Sequence, residues 1–432
     1  MIAEAPRRID KTAVKSRQFL ERVLGRYDRQ NLTVRLWDGT IWRNTGDCEG
    51  LPRLTLALKH PAALRRMFLP PTERRLAEAY IYGDFDIEGE IEEAIPLGHY
   101  LVDTALSAGD IARLGWRLLA IPADGRPRRY GRAARLSGSR HTIDRDRQAI
   151  AYHYNVSNRF YELWLDRQMI YSCAYFSAPD EDLDRAQVRK LHYLCKKLRL
   201  TPGETLLDIG CGWGALIMHA AQHYGVNALG VTISEPQAEW ATRRIEERGL
   251  QGVCRVEVRD YRELPPAERF DKIVSVGMCE HVGEALLPMY FAKAYDLLRP
   301  GGVFLNHAIA QRANEPTAIG QFAHRYVFPD GQLVPIGTAV QAAERSGFHV
   351  RDVESLREHY ELTFRQWRRR LEAHAREAVA ETDEVTYRVW RLSLASLAYW
   401  FQQGRFDLYQ TLLSKPDKGL SGLPLTRADW YT

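Results

Sequence analysis

At 432 residues and 45% hydrophobic content, the chain is long enough for two or three domains with sizeable cores. A formal net charge of +5 is too small to imply a nucleic-acid protein, and no apolar run approaches the roughly 18 to 20 residues that span a bilayer. Six cysteines without a CxxC pair argue against a zinc site or a disulfide framework, and MIAEAPRRIDKTAVK lacks the apolar centre of a signal peptide, so a cytoplasmic protein with reduced thiols and no metal is expected.

In the first part of the chain, LTVRLWDG (32–39) and IWRNTG (41–46) alternate apolar and polar residues and end in turn signals, which predicts a small sheet. Residues 71–82 predict a helix. Residues 1–122 are therefore expected to form a smaller α+β amino-terminal domain without a catalytic constellation. An arginine-rich linker is expected over 123–148. Arg126, Arg128, Arg129, Arg132, Arg135 and Arg140 fall in it with no acid between Gly125 and His141. It suits anionic phosphates and reads equally as a solvated connector; with Tyr130 as its lone stacking aromatic, RNA fits it poorly.

Residues 149–432 are expected to form the catalytic domain. Its opening stretch, 149–176, is dense in aromatics and suits a helix-loop-helix lid, with Phe160, Leu163 and Trp164 forming a helical stripe best explained as core. LLDIGCGWG (206–214) then reads as a buried strand breaking into a glycine turn that opens a helix, where Gly210, Gly212 and Gly214 leave amides uncovered beside a nucleotide-like ligand. Further strands are expected at 228–232, 255–258 and 272–276, alternating with helices. That order describes an α/β, doubly wound, mostly parallel sheet whose ligands sit at the carboxyl ends of the strands. VTISEPQ (231–237) carries no acid at the strand tip where an NAD fold would place one, which favours S-adenosylmethionine. Asp260 and Tyr261 suit an adenine amine and ring face, and GMCEHVG follows the fourth strand. Long helices are expected at 360–373 and 385–409.

Together these residues resemble the cyclopropane fatty acid synthase family, related to the mycolic acid cyclopropane synthases. YSCAYF (171–176), DIGCGWG, VTIS, SVGMCEHVG (275–283), HRYVFPDG (324–331) and GRFDLYQTLLSKP carry the likeness across nearly the whole chain. LAEAYIYGDFDIEG (76–89) is similar to the lipid-binding amino-terminal domain of the phospholipid-acting members. The resemblance implies a class I S-adenosyl-L-methionine-dependent methyltransferase fold, with cofactor contacts at Tyr171, Ser172, Gly210, Gly212, Thr232, Gln237 and Tyr261. It implies catalysis by a bicarbonate base held by Cys173, Glu280, His307, Tyr360 and the backbone of Ile309. It further implies an unsaturated membrane phospholipid as substrate, a cyclopropane or alternatively a methyl- or methylene-branched product, peripheral attachment at the inner membrane face, and a homodimer.

Several residues keep a second reading. Gln237 serves a ribose or closes an S-x-x-Q capping box with Ser234, and Tyr261 meets adenine or packs the sheet edge. Cys173 on its own is usually a small buried hydrophobe, His307 a satisfied strand-end histidine, and Tyr360 an interhelical filler. Of the adjacent pair, Glu280 is assigned to the site and His281 to a supporting hydrogen bond. The family pattern HYDxGN stands here as HYNVSN, with Asn155 and Ser157 at the altered positions, and Pro236 replaces a commoner glutamate.

Overall fold

The structure is a computed structural model that describes residues 10–27, 32–44, 53–103, 115–122, 131–154, 156–315 and 320–431. Two compact units emerge: Met1–Ala133 with Gly320–Tyr326 and Glu384–Ser396, and Ala134–Ile319 with Val327–Asp383 and Leu397–Thr432. Cys48, Gly125, Arg126, Pro127, Arg128, Arg129, Tyr130 and Asn155 lie outside the described residues.

In the first unit, strands β1 (Leu32–Arg35), β2 (Ile41–Arg43), β3 (Leu54–Leu58) and β4 (Phe85–Gly89) form a sheet in the order β2-β1-β3-β4. The alternating segments make the antiparallel pair β1 and β2, with Val34 opposite Trp42. Strand β3, LTLAL, is buried along its whole length, so alternation could not reveal it. The helix expected over 71–82 spans Glu73–Ile81, capped by the Thr72 side chain, which accepts from the Arg75 amide. Two later segments belong to this unit. The Tyr326 hydroxyl donates to Glu78 Oε1 at 2.9 Å, and Arg388 pairs with Asp86 while donating to the Tyr80 carbonyl. The unit is thus discontinuous in sequence, unlike the expected 1–122 stretch, because charged residues far along the chain find partners here.

The linker boundary also shifts. Helix Ile143–Tyr154 begins inside the expected 123–148 segment, and Arg140 and Arg145 both pair with Asp330 in the second unit. A short helix, Asn158–Glu162, follows, and Phe160 and Trp164 are fully buried as core.

The second unit is built on β5 (Thr205–Ile209), β6 (Asn227–Thr232), β7 (Cys254–Val258), β8 (Phe270–Val276), β9 (Leu298–Gln311), β10 (His349–Ser355) and β11 (Phe406–Ser414), in the order β10-β11-β9-β8-β5-β6-β7. The run from β7 to β9 is parallel; β11 enters antiparallel between β9 and β10. Leu207, Ile209, Leu229, Val231, Ile273 and Phe304 join one core with Tyr290, Phe291 and Ala294 of helix Leu287–Leu297 and Ala343 of helix Ile336–Arg345. Because strand side chains alternate, Asp208 points to the opposite face.

The helix expected over 360–373 is observed as Arg357–Ala373, whereas the one expected over 385–409 ends at Gln402. Gly404, at φ 66°, stops it, and FDLYQTLLS becomes β11 because the slot between β9 and β10 needs a strand. No helix among the described residues is long and apolar enough to cross a membrane.

Candidate active site

Strand β5 ends in a turn that bends only because its residues are glycines. Gly210 has φ 83° and Gly212 φ 53°, and a Cβ on Gly210 would stand 3.0 Å from Met278 Cγ. The Gly210 and Cys211 amides donate back to the Val231 carbonyl, which draws the β5 and β6 ends together before helix Ala215–Tyr224 starts. Beside this turn lies one cavity lined by Tyr171, Ser172, Gly210, Gly212, Thr232, Gln237 and Tyr261, all seven residues expected at a cofactor. Asp146, Ile150 and Tyr154, four residues apart on helix Ile143–Tyr154, form another wall.

The open readings resolve in particular ways. Thr232 Oγ1 donates to Gln237 Oε1 at 3.0 Å and Ser234 makes no side-chain cap, so Gln237 belongs to the cavity wall and the capping box is not formed. Tyr261 lines the cavity with Tyr290 edge-on to its ring at 5.6 Å, serving both packing and lining. Asp260 lines the cavity and is also paired within the protein. Its carboxylate accepts from the Arg262 amide and guanidinium, and Arg262 reaches on to Asp146 Oδ2 at 2.9 Å and the His141 carbonyl at 3.1 Å. Pairing with that guanidinium neutralises the acid and ties helix Ile143–Tyr154 to the end of β7.

Sequence reasoning passed over several cavity residues: Tyr154, Lys190, Asp208, Trp213 and Arg262. Trp213 Nε1 donates to Asn158 Oδ1 at 2.9 Å, and Asn158 Nδ2 donates to the Pro236 carbonyl at 3.2 Å. Ser157, one of the departures from the family pattern, caps helix Asn158–Glu162 by accepting from the Phe160 amide. Lys190 occupies the buried stripe of helix Leu183–Leu198 together with Leu183, Gln187, Leu191 and Leu194. A charged residue at a position whose periodic neighbours are apolar was the available signal.

Cys173, Glu280, His307 and Tyr360 are all buried, and none of them lines that cavity. Cys173 is joined to it through its neighbour Ser172; its thiol donates to the Ala174 carbonyl at 3.2 Å, and burial raises its pKa. Glu280 lies on the short turn Cys279–His281 after β8. Burial pushes its carboxyl up to about 7 against the hydrogen bond from the Ile309 amide, which donates to Oε1 at 2.7 Å. Ile309 thus holds the Glu280 carboxyl, and its N–H is spoken for. Glu280 Oε2 has no partner among the described residues.

His307 on β9 faces Gln410 on β11, and Gln410 Nε2 lies 3.2 Å from His307 Nδ1. With Gln410 as donor, Nδ1 accepts and Nε2 carries the proton. That Nε2 is buried and unpartnered among the described residues, and burial keeps the ring neutral by holding its pKa well below the usual histidine value. Tyr360 stacks on Phe364 at 4.2 Å and meets Phe401 at 5.0 Å. Burial raises its hydroxyl pKa, as do the nearby Tyr171, Cys173, Glu280 and Tyr154, so these groups share one electrostatic neighbourhood.

The supporting hydrogen bond expected of His281 is not made among the described residues. Its Nε2 is buried without a partner among the described residues, the ring packs 4.3 Å from Phe328, and burial lowers its pKa to about 3. Tyr171 is the centre of an aromatic cage, with Trp367 at 5.1 Å, Trp164 at 5.4 Å, Tyr161 at 5.8 Å and Tyr154 at 6.0 Å between ring centroids. A cation beside such faces gains about 0.5 to 2 kcal/mol per contact without meeting a nucleophile.

Residues 141–411 match a family model described as mycolic acid cyclopropane synthetase, and residues 19–106 match one described only as a domain of unknown function. A probable fatty acid methyltransferase of Pseudomonas putida is 39% identical over 405 residues, covering 93% of this chain and 96% of that protein. Cyclopropane mycolic acid synthase 3 of Mycobacterium tuberculosis is 35% identical over 275 residues, covering 61% of this chain and 95% of that protein. Among solved structures, mycolic acid cyclopropane synthase CmaA1 complexed with SAH and CTAB superposes with a TM-score of 0.59 at 33% identity, over 62% of this chain and 97% of that one.

Proposed function

The chain belongs to the mycolic acid cyclopropane synthetase family of S-adenosylmethionine-dependent lipid methyltransferases, and on that premise we propose that it converts cis double bonds of unsaturated phospholipid acyl chains into cyclopropane rings with bicarbonate as the base. When bound, S-adenosylmethionine would supply an electrophilic methyl to the alkene and leave as S-adenosylhomocysteine, and bicarbonate would take up the proton released as the ring closes. Tyr171, Ser172, Gly210, Gly212, Thr232, Gln237 and Tyr261 hold the cofactor. The aromatic cage around Tyr171 stabilises the transient cation and keeps water from quenching it.

The observation that carries this reading is the pair of orphaned polar atoms, Glu280 Oε2 and His307 Nε2, buried in the same region as Cys173 and Tyr360. A small oxyanion fits that donor set: His307 Nε2–H and the Tyr360 hydroxyl donate, and Glu280, oriented by Ile309, takes the hydroxyl proton. A carboxyl at about 7 exchanges a proton with such an anion at little cost. Incubation with methyl-labelled cofactor, carbonate and mono-unsaturated phospholipid vesicles tests the proposal. Upfield ring protons in the NMR spectrum of the product are expected, and unaltered alkenes refute it.

A second reading, transfer that ends in a methyl or methylene branch, is favoured by the Pseudomonas putida relative, a probable fatty acid methyltransferase whose match covers 93% of the chain. The same spectrum separates it, since a branch gives methyl or vinylic signals and no ring protons. The proposal extends to a homodimer acting peripherally at the inner membrane face. Arginines of the 126–140 stretch would contribute about 1 kcal/mol each near an anionic surface; Arg140 contributes less, being paired with Asp330. Vesicle binding should weaken with salt.

A further inference from the structure

Lys190 is 2% exposed, projects from helix Leu183–Leu198 and lines the cofactor cavity. Its Nζ donates to Ser172 Oγ at 2.9 Å and makes no ion pair among the described residues. An ammonium has three N–H donors, so two remain for the cavity. Because Ser172 Oγ already accepts from Lys190, the Ser172 hydroxyl proton is turned toward another acceptor, and none is found among the described residues. One turn earlier on the same helix, Gln187 Nε2 donates to the Ser172 carbonyl at 2.9 Å, so the Ser172 backbone and hydroxyl are both held from one helix face. Asp208 and Asp166 favour the charged form of Lys190 from a distance against its burial, which lowers its pKa to about 8. At neutral pH the cavity is therefore bordered by a dry cation whose donors await an anion.

We infer that Lys190, directly and through the Ser172 hydroxyl, is the receptor for the carboxylate at the amino-acid end of the cofactor. This rests on the cofactor assignment above and goes beyond it, since it names the cofactor group read by a residue that no motif marked. The relay is ammonium to serine oxygen, then serine proton to carboxylate; no bond is made or broken. Lys190 and Gln187 act as positioning residues for Ser172, whose neighbour Cys173 belongs to the reaction end.

Calorimetry with S-adenosylhomocysteine and with its decarboxylated form, which keeps adenosine, sulfur and ammonium, tests the relay. The folded protein should bind the carboxylate form more tightly, and Lys190→Met should weaken that form by about 10- to 100-fold while changing the decarboxylated one by less than about threefold. Ser172→Ala leaves the buried charges intact. It should show the same selectivity with a smaller loss, and it decides the matter if Lys190→Met fails to fold. Equal loss for both ligands, or no loss for the carboxylate form, overturns the relay while leaving the cofactor assignment standing. Failure of the unsubstituted protein to bind either ligand overturns both.

Discussion

Around the glycine turn, several polar side chains already have partners, as Thr232 with Gln237, Asp260 with Arg262 and Trp213 with Asn158 show, whereas at the Cys173 cluster Glu280 Oε2 and His307 Nε2 have none among the described residues. The first region gathers its residues from short motifs at adjacent strand ends. The second takes one residue from each of four distant stretches and buries them among aromatics. A recognition surface keeps its shape when many of its groups are satisfied before the ligand arrives, with a few such as Lys190 and Ser172 left to meet it, while a reactive centre needs groups whose demand is met only by the reacting species. Lys190 links the two: it donates to Ser172 on one side and its charge is felt by Cys173 and His307 on the other.

The contrast breaks most directly at Glu280. Glu280→Gln should lower label transfer from the cofactor by about 10²- to 10⁴-fold, with calorimetric affinity for S-adenosylhomocysteine changed by no more than about twofold. If affinity falls in step with turnover, the two regions are one. The same variant sharpens the contrast through stability. Burial raises the Glu280 pKa from 4.5 to about 7, so its favourable contribution is complete below the unfolded value and is lost as pH rises through about 7. Glu280→Gln never ionises. In urea titrations it should therefore gain on the parent chain as pH climbs from about 5 to about 8, by roughly 3 kcal/mol at the upper end; a pH-independent difference would show that Glu280 is not buried as a neutral acid.

Gly210→Ala is the converse experiment. At φ 83°, with Met278 Cγ 3.0 Å from the added Cβ, strain of about 1 to 3 kcal/mol should appear as about 10- to 100-fold weaker cofactor binding with near-normal turnover at saturation. A fall in saturated turnover instead would extend the reaction end into the turn. The smallest effect is expected at Ser157. Ser157→Ala removes the cap of helix Asn158–Glu162 and should cost about 1 kcal/mol in thermal or urea unfolding, with label transfer within about twofold of the parent; a larger catalytic loss would tie this departure from the family pattern to the chemistry.

The glycine turn and the parallel strand series were legible from residue order alone, because a left-handed backbone, a continuous apolar run and a strand-end motif are properties of neighbouring residues, whereas the full set of seven cavity residues was implied by the family resemblance. The helix expected to run to residue 409 misled for the same reason. Its apolar residues are compatible with helix or strand, and only the slot between β9 and β10 selected the strand.

Tertiary packing alone decided which polar atoms are spent and which are free. Ile309 donates to Glu280, Gln237 turns to Thr232 and away from the Ser234 cap, Asp260 is claimed by Arg262, and Lys190 reaches Ser172 from a helix that carries no recognisable motif. Hydrogen bonds and buried charges join residues by distance in space, 103 positions apart for His307 and Gln410 and 248 for Tyr326 and Glu78, so they leave no periodic trace along the chain. Local order established where a ligand would lie; the folded arrangement established what chemistry is left open to meet it.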